Sequence, residues 1–320
     1  MARLPYVKPS RARLPRKPFD AEDPRALDLL RPWKAGERYD TVLLGVPFDG
    51  AVLGRKGARF GPDAIREAFR YDSTFDVETS TPLWDRLRVA DAGNVEPART
   101  TKAMHDRVTA AVAALLDTGA VPIVLGGDNS LSFASARALV NRRGRMGLVV
   151  LDAHADLRPV KGGVVGSGTP YRRVIEELDV PGKRVFEIGL KPWANAEALV
   201  AWGKGRGVTM VTARDALGEG PVAVMERALE HVSREADAVF VSVDLDVLDQ
   251  ADAPGVSAPT PGGLRAPDLF TMVRRAAAFK KVAAFDIVET APKLDPTGNT
   301  ARVAATTVMH AFAGLASRSR

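Results

Sequence analysis

The chain alternates between short apolar runs and longer segments in which apolar residues recur with helical spacing. Several of the short runs are continuously apolar, which is typical of parallel strands buried on both faces. The predicted strands cover residues 41–46, 121–125, 147–151, 184–188, 208–211, 238–243 and 282–285. The predicted helices cover residues 62–69, 101–117, 131–141, 171–177, 194–202, 221–235, 266–279 and 301–315. This alternation predicts an α/β fold with a mostly parallel sheet covered by helices on both faces.

Residues 1–20 differ in composition from the rest of the chain. They contain six Arg or Lys residues against one Asp, together with four Pro residues, and the net charge of the whole chain is only +6. This composition predicts an extended or disordered basic tail that lies on a neighbouring surface. No linker-like break and no fixed-period repeat follows, so residues 21–320 are predicted to form one catalytic domain.

Several classes of protein are disfavoured by composition and motifs. The basic excess is confined to the tail, so no basic stripe indicates a nucleic-acid partner. No apolar run reaches the length of a membrane-spanning helix and no signal peptide precedes the domain, which predicts a cytoplasmic protein without a membrane partner. The glycine patterns of dinucleotide and P-loop sites do not follow a strand. The chain has no Cys, so any metal must bind through oxygen or imidazole.

Two predicted strands, residues 147–151 and 238–243, lead directly into acidic residues at alternate positions. The polar side chains there are Asp152, His154, Asp156, Asp244 and Asp246. The carboxyl ends of parallel strands meet at one sheet edge, and four carboxylates gathered there would be costly to bury without cations. Carboxylates with one imidazole suit a pair of manganese-like ions. The alternative, solvated aspartates beside a core histidine, is less favoured because two strands end in this way.

At these residues the chain resembles the ureohydrolase family, which includes arginase, agmatinase, guanidinobutyrase and formimidoylglutamase. The matching segments are residues 126–130 (Gly-Gly-Asp-Asn-Ser), 152–156 (Asp-Ala-His-Ala-Asp), 242–246 (Ser-Val-Asp-Leu-Asp) and 259–263 (Pro-Thr-Pro-Gly-Gly). The similarity extends from about residue 41 to the C-terminus. It implies an arginase-like three-layer αβα sandwich of about eight strands, two Mn²⁺ ions per subunit, and a homo-oligomer, either a trimer or a hexamer.

The resemblance also implies a role for each residue of the site. Asp152 and Asp244 would bridge the two ions, Asp156 would complete the ligands of one ion, and His154 and Asp246 those of the other. Glu289 matches the acidic residue that faces the nitrogen atoms of the substrate, although a strand-end surface carboxylate is the alternative. In the implied reaction Asp156 relays a proton to the departing nitrogen.

Two positions depart from the family pattern. Asn129 replaces a histidine ligand, and because a neutral amide oxygen binds manganese less well than imidazole, one ion is predicted to bind weakly. Ser167 replaces a histidine that transfers protons, and we expect it to position a water instead. The remaining histidines, His105, His231 and His310, lie in helical patterns and are poor replacements.

The leading functional prediction is a formimidoylglutamase-like enzyme that converts N-formimidoyl-L-glutamate and water to L-glutamate and formamide. Residues 54–66 resemble the Gly-Arg-x-Gly-Ala segment of the formimidoylglutamase and arginase branches. A dicarboxylate substrate needs cations, and the loop residues that would supply them are Arg55, Lys56, Arg158 and Lys161, unless they are only solvated charges.

Two alternatives stay open at this point. Agmatinase or guanidinobutyrase activity, which releases urea, is the runner-up because residues 48–50 and 58–62 also resemble that branch. A protein of another class, a degenerate non-catalytic member that serves as a binding or assembly subunit, would explain Asn129 and Ser167. The retained carboxylates argue against it, because no structural role requires so much clustered negative charge.

Overall fold

A ten-stranded, mostly parallel sheet forms the centre of the protein in the computed structural model, which describes residues 4–12 and 20–318. Its strands in chain order, together with the separate hairpin β4–β5, are β1 (Val7–Lys8), β2 (Arg31–Pro32), β3 (Thr41–Gly45), β4 (Phe75–Asp76), β5 (Thr81–Pro82), β6 (Val89–Val95), β7 (Val121–Leu125), β8 (Met146–Leu151), β9 (Val185–Leu190), β10 (Thr209–Thr212), β11 (Ala238–Asp244) and β12 (Val282–Val288). All seven predicted strands are confirmed.

Helices cover both faces of this sheet. They are α1 (Ala26–Leu29), α2 (Gly61–Ala68), α3 (Thr101–Leu116), α4 (Leu131–Arg143), α5 (Pro170–Glu177), α6 (Glu197–Gly205), α7 (Ala213–Glu219), α8 (Pro221–Ser233), α9 (Ala266–Ala278) and α10 (Asn299–Ala316). The sequence pattern predicted eight of them and missed the short helices α1 and α7, whose four and seven residues are too few to show a period.

The order of strands across the sheet is β1-β6-β3-β7-β12-β11-β8-β9-β10, with β2 paired to β6. The eight strands from β6 to β10 form one continuous parallel sheet. The two-residue strand β1 joins β6 antiparallel and β2 joins it parallel. The sheet therefore has two strands more than the expected number of about eight, because these two-residue edge strands are too brief to give a sequence signal.

Alternate side chains along the strands enter two separate apolar layers. Leu43, Ile123 and Val241 belong to the layer under α8, α9 and α10. Their neighbours Val42 and Val124 belong to the layer under α3 and α4. Because successive side chains of a strand point to opposite faces, a strand that is apolar throughout must be covered on both sides. The predicted three-layer αβα sandwich is confirmed.

Strand β6 escaped the sequence prediction because polar residues interrupt it. Asp91 and Asn94 are buried, and both bond to the fully buried Arg66 of α2. The guanidinium donates to both Asp91 oxygens at 2.8 and 2.7 Å. A buried carboxylate is tolerated when a charged partner and hydrogen bonds compensate it. The polar residues thus belong to an internal ion pair that only the fold reveals.

Part of the basic N-terminal segment lies on the protein's own sheet. Val7 pairs with Val95 in β6, and the ring of Tyr6 lies under the guanidinium of Arg107. The segment is extended here, as predicted, but this part of it covers the domain rather than a neighbouring molecule. Residues 13–19 of the predicted tail lie outside the described residues. Among the described residues, no helix is both long and apolar enough to cross a membrane.

The topology gathers the candidate site at one edge of the sheet. β7, β12, β11 and β8 are consecutive neighbours, and their carboxyl ends meet at this edge. The residues that follow them are Asn129 after β7, Glu289 after β12, Asp246 after β11 and Asp152 after β8. Four segments that are far apart in the chain therefore converge.

Candidate metal centre

Asp152, His154 and Asp246 form a compact cluster of metal-binding groups. One ligand atom of each lies within 4.8 Å of the other two. The His154 Nδ1 atom is 2.9 Å from Asp246 Oδ2 and 3.6 Å from Asp152 Oδ1. Asp152 and Asp246 are almost fully buried, whereas His154 is partly exposed. The two acidic segments predicted from the sequence are thus in direct contact.

Backbone amides hold the carboxylates of this cluster in place. His154 N donates to Asp152 Oδ1 at 2.6 Å, and Asp246 N donates to Asp244 Oδ1 at 2.9 Å. Ala153 N donates across the sheet to Asp246 Oδ1 at 3.2 Å. Each carboxylate still has oxygen lone pairs that face the cluster. The arrangement is fixed before any ligand binds.

Asn129 lies beside this cluster, as the resemblance of residues 126–130 to the family pattern implied. Its Nδ2 atom donates to Asp156 Oδ2 at 2.7 Å and to Asp152 Oδ2 at 3.2 Å. Its Oδ1 atom accepts from the hydroxyls of Ser132 and Tyr171 at 2.8 and 3.2 Å. The amide must flip by half a rotation, so that Oδ1 and Nδ2 exchange places, before its oxygen can bind a cation beside Asp152 and Asp156.

Asp156 and Glu289 both adopt left-handed backbone conformations at the edge of the cluster. Their φ angles are 47° and 67°. Such angles are costly for residues other than Gly and persist where surrounding contacts enforce them, often at functional sites. For Glu289 the enforcing contacts are its own N–H, which donates to Gly127 O, and its Oε1 atom, which accepts from Asn129 N at 2.8 Å.

Glycine 127 makes this close packing possible. A Cβ atom at that position would lie 1.6 Å from the carbonyl oxygen of Phe48. The same carbonyl accepts a hydrogen bond from Asp128 N at 2.9 Å. Any side chain at position 127 would therefore push apart the loops that follow β3 and β7.

Burial shifts the protonation of the cluster strongly. It raises the pKa of Asp152, Asp244 and Glu289 well above the ordinary value, and neighbouring negative charges add to the effect. Burial also raises the pKa of Asp156 to about 6, although the charge of His154 opposes the shift. Without a cation, the cluster therefore favours taking up protons over remaining fully charged.

His154 compensates part of this negative charge. Burial alone would lower its pKa, but hydrogen bonds to Asp152 and Asp246 raise it to about 11. Burial alone would likewise raise the pKa of Asp246, yet the hydrogen bond and charge of His154 hold it below the ordinary value. The positive charge of the His154 imidazolium therefore partly neutralises the carboxylates of Asp152 and Asp246, as a metal cation would.

These shifts predict that the metal-free protein becomes less stable as the pH rises from 4.5 to 7.5. The pKa of Asp156 is raised from its ordinary value of 3.8 to about 6 in the folded protein, so the folded protein binds this proton more tightly than the unfolded chain does. The free energy of unfolding therefore falls as the pH rises from the first of these values to the second. The pKa of His154 is raised from 6.5 to about 11, so the free energy of unfolding also falls as the pH rises above 6.5. The expected result is a lower melting temperature at pH 7.5 than at pH 5 in the presence of a chelator, measured by calorimetry.

Two comparisons test this interpretation. Asp156→Asn should flatten the dependence between pH 4.5 and 6, because the titrating group is gone. Excess Mn²⁺ should reverse it, because metal ligands must lose their protons to bind. A metal-free protein that is most stable at pH 7.5 would contradict the assigned shifts.

The residues of the cluster fit a pair of hard divalent cations. They provide the carboxylates of Asp152, Asp156, Asp244 and Asp246 and the imidazole of His154, a donor set typical of manganese rather than of thiophilic metals. The raised pKa values show that the negative charge is under-compensated by the protein itself. One imidazolium cannot balance this charge, whereas two divalent cations can.

Ser167 anchors a loop beside the cluster. Its hydroxyl oxygen accepts from Leu53 N at 3.2 Å, and its own N–H donates to Ala51 O at 2.7 Å. Asp128 holds the same loop, because its Oδ2 atom accepts from Ala51 N at 2.8 Å. The hydroxyl of Ser167 is thus occupied by the loop that follows β3, and its expected water-positioning role stays a prediction.

The predicted substrate cations occupy different surroundings. Arg55 donates to the carbonyl oxygens of Pro254 and Val256, so its guanidinium ties two loops together. Arg158 is exposed, and its charge lowers the pKa of Asp156, which places it beside the cluster. Lys161 is exposed in a turn with Val164. Arg158 therefore has an electrostatic interaction with a residue of the candidate site.

The sequence prediction missed two residues that support the cluster from behind. Lys191 is buried after β9, and its Nζ atom donates to Leu248 O at 2.7 Å and to Thr260 O at 2.9 Å. Asn195 accepts from Ala155 N at 2.7 Å and so holds the segment that contains Asp152, His154 and Asp156. A single Lys or Asn after a strand gives no signal in a sequence.

The other histidines lie in helices, as predicted, and none belongs to the cluster. His105 of α3 is buried against Ser130, and burial lowers its pKa to about 3. His231 contacts the carbonyl of Lys183, and His310 stacks on Phe270.

Comparison with known proteins places these features in a family context. A family model described as "Arginase family" matches residues 39–314. A formimidoylglutamase of Halobacterium salinarum is 40 % identical to the chain over 286 residues, which are 86 % of this chain and 88 % of that protein. The similarity therefore includes every segment that contributes to the cluster.

Solved structures agree with this result. The formimidoylglutamase of Bacillus subtilis strain 168 superimposes with a TM-score of 0.89 at 31 % identity, covering 96 % of this chain and 97 % of that chain. A Trypanosoma cruzi formiminoglutamase solved with Mn²⁺ superimposes with a TM-score of 0.86 at 30 % identity, covering 93 % and 100 % respectively.

Proposed function

The chain belongs to the arginase family, and from this premise we propose that it is a manganese-dependent formimidoylglutamase. The reaction would be hydrolysis of N-formimidoyl-L-glutamate, with one water consumed and formamide and L-glutamate released. The cluster of Asp152, His154 and Asp246 is the observation on which this proposal depends most, because it provides the metal ligands. The similar proteins named formimidoylglutamase support the choice of substrate.

Two ions are proposed to be held by Asp152, Asp244, Asp246, Asp156, His154 and Asn129, in the roles that the family resemblance implies. Bound manganese would supply a water acidic enough to attack the formimidoyl carbon at neutral pH. The ion next to Asn129 is proposed to bind more weakly, because a neutral amide replaces imidazole.

Glu289 is proposed to hold the amidine nitrogens of the substrate. It is buried, and its Oε2 atom has no hydrogen-bond partner among residues 4–12 and 20–318. A buried carboxylate oxygen left without a donor is costly, and N–H groups of an amidine would satisfy it. The backbone contacts that enforce its strained φ angle also fix its direction.

Asp156 is proposed to accept a proton from the attacking water and to pass it to the departing nitrogen. It is partly exposed at the edge of the cluster, and its Oδ2 atom accepts a hydrogen bond from the Asn129 amide at 2.7 Å. A carboxylate within hydrogen-bond reach of a water can take its proton and pass it on. Ser167, on the loop nearby, would position a water in this relay.

Arg158 is proposed to bind a substrate carboxylate, and Arg158→Ala is expected to raise KM about tenfold with little change in kcat. One hydrogen-bonded pair of charges at a partly solvated position contributes roughly 1.5 kcal/mol, which corresponds to about this factor. Steady-state kinetics with N-formimidoyl-L-glutamate would measure it. Arg38→Ala, which also removes an exposed arginine, is the control. Equal kinetics for both variants would remove Arg158 from the substrate site; Arg55 and Lys161 would then be the remaining candidates.

The proposed function is tested by assaying the manganese-loaded protein with four substrates in parallel. These are N-formimidoyl-L-glutamate, agmatine, 4-guanidinobutyrate and arginine, with detection of formamide and urea. Formamide from the first substrate alone is the expected result. Urea from agmatine or 4-guanidinobutyrate would replace the proposal by its runner-up. Silence on all four with manganese bound would favour the non-catalytic alternative.

We also propose a cytoplasmic homo-oligomer, a trimer or hexamer, with a basic Pro-rich N-terminal tail (residues 1–20) and one catalytic domain (residues 21–320). The resemblance to the ureohydrolase family, which implies a trimer or a hexamer, supports this proposal. Sedimentation equilibrium should give three or six times the chain mass of 34.2 kDa. A mass of one chain would reject the oligomer.

A further inference from the structure

A buried hydroxyl network connects Asn129 to the carboxyl group of Asp286. We define it as Ser132 of α4, Tyr171 of α5, Ser242 of β11 and Asp286 of β12. Each of these side chains is at most 1 % exposed. Ser242 Oγ lies 2.7 Å from Asp286 Oδ1, 3.2 Å from Ser132 Oγ and 3.1 Å from Tyr171 OH. Ser132 and Tyr171 contact the Asn129 amide.

The network contains five polar contacts, and each needs one hydrogen atom. The three hydroxyls of Ser132, Tyr171 and Ser242 supply one each. Burial raises the pKa of Tyr171 well above its usual value, so its phenol keeps its hydrogen. When the amide oxygen of Asn129 faces the hydroxyls, it adds none. Three hydrogens are then available for five contacts. A protonated Asp286 would supply a fourth hydrogen.

Turning the Asn129 amide by half a rotation completes the set. Its NH₂ group then donates one hydrogen to Ser132 and one to Tyr171. Both hydroxyls can donate to Ser242, which donates in turn to Asp286. Five hydrogens now serve five contacts, and Asp286 is a carboxylate. Unmade hydrogen bonds between buried groups are costly, so the hydroxyl network favours the turned amide when Asp286 is ionised. The two hydrogen bonds from Asn129 Nδ2 to Asp152 and Asp156 oppose the turn until a cation binds.

The same half rotation brings the amide oxygen of Asn129 to the metal-binding side. It would then face Asp152 Oδ2 and Asp156 Oδ2, where Nδ2 now lies at 3.2 and 2.7 Å. Three oxygens at such distances repel one another unless a cation lies among them. A bound cation and the hydroxyl network therefore favour the same orientation of the amide.

We propose that Asp286, acting through Ser242, Ser132 and Tyr171, is a positioning residue that turns the amide oxygen of Asn129 toward the manganese site. This inference rests on the proposed metal centre, but not on the identity of the substrate. Asp286 lies opposite Ser242 in the sheet, and its Oδ1 atom accepts a hydrogen bond from the Ser242 hydroxyl. It compensates for the weak ligand Asn129 by determining that the amide oxygen, and not the NH₂ group, faces the metal.

The test is manganese binding, measured by calorimetry, for the full-length protein and the variant Ser242→Ala. Loss of this hydroxyl leaves Ser132 and Tyr171 free to donate to the Asn129 oxygen, which holds the NH₂ group against the metal site. We expect the weaker manganese to bind about tenfold to a hundredfold less tightly, as for other residues that orient metal ligands. Asp286→Ala should have the same effect.

Two further variants separate orientation from general damage. Ser135→Ala removes a buried hydroxyl of α4 that has no hydrogen-bond partner in the described part of the chain, and should bind manganese like the wild type. Asn129→Asp offers oxygen on both sides, so adding Ser242→Ala to it should change binding less than about twofold, because a carboxylate has no wrong orientation.

The outcomes distinguish this inference from the proposed function. If Ser242→Ala and Asp286→Ala bind both ions as tightly as the wild type, the positioning role is wrong although the metal centre stands. If Ser242→Ala weakens binding equally in the Asn129→Asp protein, its effect is not amide orientation and the inference also fails. If the wild type binds no manganese, the proposed metal centre itself is wrong, and the role of Asp286 is rejected with it.

Discussion

Asp152→Asn is expected to remove tight manganese binding and to lower kcat/KM by at least about 10³-fold, since the metal supplies several kcal/mol of the catalytic effect. Asp152 contacts both His154 and Asn129, and the family resemblance gives it a bridging role between the two ions. Asn keeps its size but loses the negative charge and one of its two acceptor oxygens. Metal analysis and steady-state kinetics on the same sample would show whether both losses occur together.

The same substitution should have opposite effects on stability with and without metal. Without metal, burial first and the charges of Asp156 and Asp246 second raise the pKa of Asp152, so folding at neutral pH must either bury its charge or take up a proton. The neutral Asn avoids this cost, and we expect the metal-free variant to melt at least about 2 °C higher than the wild type. With excess Mn²⁺ the wild type should melt higher, because binding stabilises the folded state by about 2.7 kcal/mol at a hundredfold excess over Kd.

Asp85→Asn provides the matched control for this experiment. Asp85 is exposed, and the substitution makes the same chemical change away from the cluster. Its melting temperature should respond to Mn²⁺ as the wild type does. If Asp152→Asn also behaves like the wild type in binding, activity and melting, Asp152 is not a metal ligand and the assignment of the centre is wrong.

Glu289→Gln is expected to lower kcat/KM by about 10²- to 10³-fold while both manganese ions remain bound. Removing one charged group that faces developing charge in a reaction costs about this much. The Gln oxygen can still accept from Asn129 N, so the local backbone should stay in place. What is lost is the negative charge that the amidinium group of the substrate would meet.

The contrast with Asp152→Asn makes this prediction specific. Metal analysis should show full occupancy for Glu289→Gln and loss of metal for Asp152→Asn. A Glu289→Gln protein that loses manganese would instead place Glu289 among the metal ligands. Unchanged kinetics would support the alternative interpretation, a carboxylate at the end of a strand without a role in the reaction.

The backbones of Asp156 and Glu289 are strained. Both have positive φ angles, and both lie where a strand end turns toward the cluster. Their backbone conformation directs the carboxylates into a space that a relaxed strand extension would not reach. The cost of such conformations, of order 1–3 kcal/mol each, must be offset by the surrounding contacts. Asn129 N and Gly127 O provide part of this compensation at Glu289.

The sequence by itself determined the parts of this protein that depend on local pattern. Continuous apolar runs identified the seven strands, because buried parallel strands need apolar side chains on both faces. The segments 152–156 and 242–246 identified the candidate metal ligands, because carboxylates directly after such strands must gather at one edge. The family followed from the order of these segments, and it is confirmed.

Only the tertiary structure decided the features that depend on contacts between distant segments. The polar strand β6 could be recognised only from Arg66, which lies 25 residues from its partner Asp91. Lys191 and Asn195 gave no signal because their importance lies in carbonyls and amides of other loops. The proposed orientation of Asn129 depends on the hydroxyl hydrogens of Ser132, Tyr171 and Ser242 and on the carboxylate of Asp286 that accepts the last of them. A sequence shows which groups can donate and accept, but only packing brings them within the distance at which one hydrogen bond determines the next.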